Sequence, residues 1–225
     1  MSQRGLFITF EGGEGAGKST QIRLLKERLE AAGYTVTQLR EPGGTPIGED
    51  IRRILLDTEN TAMASWTELF LYEAARAQLV EEVIRPALER GEVVLCDRFF
   101  DSTTVYQGIA RGLGVEQVQQ ANSFACDGLV PDRTILLRLD TETGLNRATQ
   151  KEADRMEQEG LDFHQKVHEG FEQLLELDPD RIRVVDTCEF KEATAQRIFL
   201  ELEDLFVIED DADDVEAAID EGEHR

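Results

Sequence analysis

The stretch Gly12 to Thr20, GGEGAGKST, holds the residue types and spacing that point most directly to chemistry. It satisfies G-x-x-x-x-G-K-[ST] through Gly12, Gly17, Lys18 and Ser19. A polyphosphate wrapped by backbone N–H groups needs a loop that passes close to it without Cβ atoms in the way. Glycines at 12, 13, 15 and 17 permit that approach, with Glu14, Ala16 and Thr20 filling the rest of the cradle. Lys18 then brings a positive charge to the β and γ phosphates, and the Ser19 hydroxyl can ligate Mg²⁺. The apolar run Leu6–Phe10 comes before the loop, and the amphipathic positions Ile22, Leu24, Leu25 and Leu29 follow it. That strand–loop–helix setting reads as a nucleotide-binding P-loop and not as a bare Gly-rich turn.

Further candidates stand where other strands end. Arg40, Glu41 and Pro42 open a loop with two prolines and two glycines, which is either a ligand loop or an ordinary strand-to-helix turn. Tyr72 and Arg76 are four residues apart on a helix surface. They can offer a ring and a cation to a base, or be a core aromatic beside a surface Arg. Asp97 and Arg98 emerge from a compact strand. The carboxylate can hold an Mg²⁺ water and the Arg can bridge phosphates, or the two can serve as a structural ion pair. Ser102, Thr103, Tyr106 and Gln107 sit on the polar side of the helical stretch Asp101–Ala110. Residues 147–160, RATQKEADRMEQEG, are either a solvated helical face or a basic lid carrying Arg147, Lys151 or Arg155 over the phosphates.

Five strands must position these groups: Leu6–Phe10, Tyr34–Leu39, Val93–Cys96, Thr134–Leu139 and Ile182–Asp186. They alternate with helices, which predicts an α/β domain with a five-stranded parallel sheet flanked by helices. Gly33 is expected to close the first helix, Ile47–Leu56 to form a short one, and Pro86 to bend or end the long helix Ser65–Glu89. Residues 114–127 form another. Thr141 is expected to cap the next helix; Phe163–Leu177 and residues 190–206 supply the last two.

The 225 residues suit one domain, placed at 1–206. A net charge of −23 argues against a broad nucleic-acid surface. Residues 207–225 carry nine carboxylates against one Arg and are expected to be a solvated, disordered extension, with a short helix around Val215, Ala218 and Ile219 as an option. No stretch approaches a membrane span, and the first residues lack a signal-peptide layout. Cys96, Cys126 and Cys188 have no metal-ligand spacing and read as reduced thiols of a cytoplasmic protein.

Taken in order, FEGGEGAGKST, REPGGT, LYEAARAQL, VLCDRFFDSTTVYQG and DRMEQEG closely resemble thymidylate (dTMP) kinases across residues 5–206. The P-loop alone indicates only an NTPase or kinase. REPGGT with DR-x₃-S-T-x₂-Y-Q-G separates this family from other nucleoside monophosphate kinases. The resemblance implies transfer of the γ-phosphoryl of ATP to dTMP with Mg²⁺, and a homodimer packed through helices. It implies that residues 12–20 hold ATP, with Glu14 near the acceptor's sugar and metal. Arg40, Glu41 and Pro42 would line the dTMP site, Tyr72 would stack on thymine, and Arg76 would bond its carbonyl edge. Arg98 would bind the acceptor phosphate with Asp97 near the metal. Ser102 and Thr103, with Gln107 alongside, would fix the base, and Tyr106 would crowd the 2′ position.

The sequence departs from the resemblance at one place. Some family members carry an Arg inside the P-loop, whereas the variable positions here are Gly13, Glu14, Gly15 and Ala16. A cation is then expected from the lid, and Arg155 is the choice over Arg147 and Lys151. A kinase for dUMP or UMP and a P-loop regulatory NTPase are the rival readings; the N/T-K-x-D signature of a GTPase switch is missing.

Overall fold

The computed structural model describes residues 4–148, 154–187 and 190–206. The acidic stretch 207–225, Lys151 and Cys188 lie outside the described residues. Five strands, β1 (Phe7–Glu11), β2 (Val36–Arg40), β3 (Val93–Asp97), β4 (Arg133–Arg138) and β5 (Ile182–Asp186), form one parallel sheet in the order β2-β3-β1-β4-β5. The predicted architecture and strand set hold, with ends shifted by a residue or two. Register brings Phe10 and Arg40 both level with Asp97, so three strand ends open on one rim. The chain leaves β1 in one direction and β3 in the other, and such a switch point is where open α/β sheets bind ligands.

β1 shows why the sheet is buried on both faces. Ile8 and Phe10 pack with Ile22, Leu25 and Leu29 of α1 (Lys18–Ala31), while Phe7 points the other way, edge-on to Phe99 at 5.0 Å between ring centroids. α1 ends at Gly33 with φ +88, as expected for a residue just past a helix. α2 (Pro46–Leu56) starts with Pro46 at its first position, and the Thr45 hydroxyl accepts the Gly48 N–H at 2.9 Å.

The expected Ser65–Glu89 helix is continuous but changes gauge. α3 (Ser65–Leu79) runs into a π-helical turn at Val80–Ile84 and continues as α4 (Arg85–Glu89). The Arg85 N–H reaches five residues back to the Val80 carbonyl, a wide turn that accommodates the following proline, which has no N–H to give. A second wide segment follows β3: α5 (Phe100–Thr103) passes into π-geometry at Thr104–Ala110. α6 (Val115–Cys126) packs against both α3 and this segment.

Two further expectations need correction. Thr141 does not cap α7 (Thr141–Ala148). The Asp140 carboxylate, one residue earlier, accepts the Thr143 N–H at 2.9 Å and does so instead. After α8 (Leu161–Leu177), the final helix α9 spans only Lys191–Leu200. The chain then turns through a short 3₁₀ segment at Glu203–Leu205, which lets Leu202 and Phe206 drop into the core, the latter edge-on to Tyr34 at 5.3 Å.

Candidate active site

The loop after β1 is shaped by close backbone approaches. A Cβ on Gly12 (φ +136) would fall on the Leu137 carbonyl of β4, and one on Gly15 (φ +69) would fall on the Gly144 carbonyl of α7. Lys18 opens α1 and folds back over the loop, donating to the carbonyls of Gly12 at 3.0 Å and Gly13 at 2.9 Å. Burial and the nearby Arg98 lower its pKa, opposed by Glu14, Asp97 and Glu11. The Ser19 hydroxyl donates to Asp97 Oδ2 at 2.7 Å, which joins the start of α1 to the end of β3.

Arg98 follows Asp97 with φ +68, in the left-handed region. Its guanidinium donates to the Gly12 carbonyl at 3.1 Å, to Ser102 Oγ at 3.1 Å and to Glu14 Oε1 at 2.6 Å, and lies 5.1 Å from the Tyr106 ring centroid. The Tyr106 hydroxyl donates to the same Glu14 oxygen at 3.1 Å. Burial alone would raise the Glu14 pKa; Arg98, Lys18 and that hydroxyl outweigh it and bring the carboxyl down to about 2. Burial drives the Tyr106 and Tyr72 phenols well up, so both rings face the site neutral.

Arg76, on α3, is buried and donates to Glu41 at 2.9 Å, Glu73 at 3.0 Å, Asn122 at 2.9 Å and Thr103 at 2.7 Å. Nη2 also stands 2.7 Å from Glu41 Oε2, so all five N–H groups of the guanidinium face protein acceptors, and Arg76 reaches a ligand only by sharing one of them. Burial pushes Glu41 up to about 7 against the pull of Arg76. Arg40 and Arg52 both donate to the Pro42 carbonyl, at 3.1 and 2.9 Å, and brace the loop after β2.

These groups share one cavity of about 570 Å³. Residues 14–20, Arg40, Glu41, Pro42, Tyr72, Arg76, Asp97, Arg98, Ser102, Thr103, Tyr106 and Gln107 all line it. Gly12 and Gly13 are not part of the lining; their carbonyls hold Lys18 and Arg98, which are. The structure directs Arg155 elsewhere. Its Nε donates to the Leu55 carbonyl at 2.7 Å and its Nη2 pairs with buried Glu68 at 2.7 Å, so its charge is spent away from the cavity. Among the described residues of this part of the chain, Arg147 is the cation that lines the cavity, as do Asp154, Met156 and Glu157.

The sequence reading passed over Glu11, Arg52 and Glu68. Glu68 accepts from Gln107 at 2.9 Å and from Arg111 at 3.1 Å as well as pairing with Arg155. Each of the three stands outside a recognisable spacing, although Glu11 adjoins the P-loop and a charged residue closing an apolar strand is itself a signal. Among the described residues no group of three His, Cys, Asp or Glu is placed to hold a metal. The pair Ser19 and Asp97 on the cavity wall suits Mg²⁺, which keeps waters and phosphate oxygens as most of its ligands.

A P-loop on the first strand, an Asp-Arg pair on its neighbour and a shared cavity at the switch point define a P-loop kinase of the nucleoside monophosphate class. The comparisons narrow this. A family model described as thymidylate kinase matches residues 10–198. Over 185 residues the chain is 52% identical to the thymidylate kinase of Bacillus pumilus, covering 81% of this chain and 87% of that protein. Over 189 residues it is 52% identical to that of Citrifermentans bemidjiense, covering 81% and 84%. The crystal structure of thymidylate kinase from Ehrlichia chaffeensis superposes with a TM-score of 0.74 at 30% identity, covering 89% of this chain and 99% of that one. The chain belongs to the thymidylate kinase family.

Proposed function

We propose that this protein transfers the γ-phosphoryl group of ATP to dTMP, giving ADP and dTDP. The observation that carries the reading is the meeting, in one cavity, of Lys18 and Ser19 from the P-loop with Arg98 from the neighbouring strand. Phosphoryl transfer asks for alignment and charge neutralisation more than for covalent help. Lys18 and the loop N–H groups would hold the donor phosphates, and Arg98 the acceptor phosphate. Arg40, Glu41, Pro42, Tyr72, Arg76, Ser102, Thr103 and Gln107 would enclose the base, and Tyr106 with Glu14 the sugar. Ser19 and Asp97 would hold Mg²⁺, which supplies neutralisation of the phosphate charge. No general base is needed, because the attacking oxygen belongs to an ionised phosphate. Arg147, not Arg155, would supply the cation that the P-loop lacks.

The kinase unit is taken as residues 1–206, with 207–225 outside it, consistent with the family match over 10–198. A homodimer is supported by an exposed apolar face. Trp66 and Phe70 stack on α3 at 5.9 Å, and Phe124 stands 86% exposed on α6 beside it. The net charge of −23 favours small nucleotides held in the cavity over nucleic acid. No helix among the described residues is long and apolar enough to cross a membrane. Cys96 and Cys126 are buried free thiols, in keeping with a cytoplasmic setting.

The test is ADP release from ATP and Mg²⁺ with dTMP, dUMP, UMP, dCMP or no acceptor. Turnover should strongly favour dTMP. A preference for dUMP or UMP would reassign the acceptor, and ADP release indifferent to any monophosphate would point to a regulatory NTPase.

A further inference from the structure

Glu11 closes β1 just before the P-loop, is 1% exposed, and has none of the roles proposed above. A buried carboxylate is costly unless its oxygens are occupied. Here, among the described residues, the bonds of both oxygens run to the segment that carries Arg98. Oε1 accepts the Phe99 N–H at 2.8 Å and, at greater length, the Ser102 N–H at 3.3 Å; Oε2 accepts the Ser102 hydroxyl at 2.5 Å. Burial and the neighbouring Asp101 push the Glu11 carboxyl up to about 7, against the pull of the Ser102 bond and Arg98.

What those bonds surround is an uncommon backbone. A residue other than Gly, Asn or Asp stays at φ +68 only when its surroundings hold it there. The Arg98 N–H goes to the Phe10 carbonyl at 2.9 Å, and the next N–H, of Phe99, goes to Glu11. Consecutive residues of β1 thus grip the backbone on both sides of the unusual torsion. The side chain is held too. Ser102 has one hydroxyl proton and gives it to Glu11, so an oxygen lone pair faces Arg98 Nη1 at 3.1 Å.

We propose that Glu11 is a positioning residue for Arg98, holding its backbone in the left-handed region and, through Ser102, aiming its guanidinium at the acceptor phosphate. The proposal rests on Arg98 being the group that binds that phosphate.

Glu11→Gln separates positioning from bulk. The two backbone N–H groups require the amide oxygen at the Oε1 place, so the amide nitrogen stands against Ser102 Oγ. It donates there and turns the hydroxyl proton toward Arg98. Loss of a hydrogen bond to a charged group predicts a fall of about 10- to 100-fold in kcat/KM for dTMP, with the KM for ATP unchanged. Because Glu11 would act on Arg98 through Ser102, the loss in Glu11→Gln/Ser102→Ala should fall short of the product of the two single losses. An unaltered dTMP KM and kcat in Glu11→Gln, a matching rise in the KM for ATP, or losses that multiply in the double variant would overturn the proposal. If Glu11→Gln does not fold, Glu11→Asp decides: its shorter carboxylate cannot keep both the Phe99 N–H and the Ser102 hydroxyl, so a raised dTMP KM at constant ATP KM supports the proposal, and a wild-type dTMP KM overturns it. Arg98→Ala, run in parallel, tells the two failures apart, since full activity there removes Arg98 itself from the reaction.

Discussion

Lys18 and Arg98 donate to a single acceptor, the carbonyl oxygen of Gly12, at 3.0 and 3.1 Å. The group proposed for the donor nucleotide and the group proposed for the acceptor are thereby fixed relative to one another through one backbone atom. Two cations this close repel, and the repulsion is offset by Glu14, which pairs with Arg98 at 2.6 Å.

Lys18→Ala and Arg98→Ala should each lower kcat by about 10²- to 10³-fold, the usual loss for a group that stabilises transferring charge. Because they share Gly12, the double variant should lose less than the product of the single losses. Single-turnover rates on folded protein check this, and multiplicative losses would mean that the two act independently.

Arg147 and Arg155 should separate by phenotype. Arg147→Ala should reduce kcat about tenfold or more with little change in Tm. Arg155→Ala should instead cost about 1–3 kcal/mol of stability, because it leaves buried Glu68 with fewer partners while Arg111 still holds it. Urea denaturation beside steady-state kinetics distinguishes them, and the reverse pattern would restore Arg155 to the site.

The Glu14 carboxyl, held at about 2 in the folded protein against 4.5 for the free group, binds its proton later than the unfolded chain does as pH falls. Its contribution to stability is therefore complete above pH 4.5 and is lost as pH drops toward 2. The gap in urea midpoint between wild type and Glu14→Gln should stay constant from pH 7 to 5 and narrow from 4.5 to 3. A gap independent of pH across that range would show that Glu14 is not held ionised by Arg98 and Lys18.

Gly144→Ala puts a methyl group against the Glu14 carbonyl. The P-loop tip must shift, which should raise the KM for ATP about tenfold and cost about 1–3 kcal/mol by overpacking. Unchanged ATP affinity by isothermal titration would mean that the tip gives way without disturbing the phosphate cradle.

Most of the fold was legible because alternating apolar strands and amphipathic helices obey local periods, and the P-loop announced its own neighbours. Local rules failed where tertiary demands took over. Leu202 and Phe206 leave the helical path to fill the core, and Asp140 takes a cap that Thr141 was expected to make. In the site, residues tied to a spacing (Lys18, Asp97, Arg98, Tyr106) were legible, and all of them line the cavity. The pairing of Arg155 away from the cavity has a plain cause: its partner Glu68 lies 87 positions earlier in the chain, and a charge-rich segment does not reveal which cation a buried carboxylate will claim. Glu11 was hidden for the same reason, its ligands being N–H and O–H groups of residues 99 and 102.

The donor cradle hangs from β1, while Arg98 hangs from β3, its hydrogen-bonded neighbour. Adjacent strands lie about 4.8 Å apart, a spacing set by backbone geometry that no side chain can alter. With the roles proposed above, the separation of the two reactants would be inherited from the sheet, and the base would meet α3, α5, the π-segment and the loop after β2. Acceptor choice and reaction distance are written in different parts of the molecule. On that reading the α3 and β2-loop side of the pocket could be varied for a new base, whereas Ser102, which also bonds Arg98, could not be changed without touching the geometry of transfer.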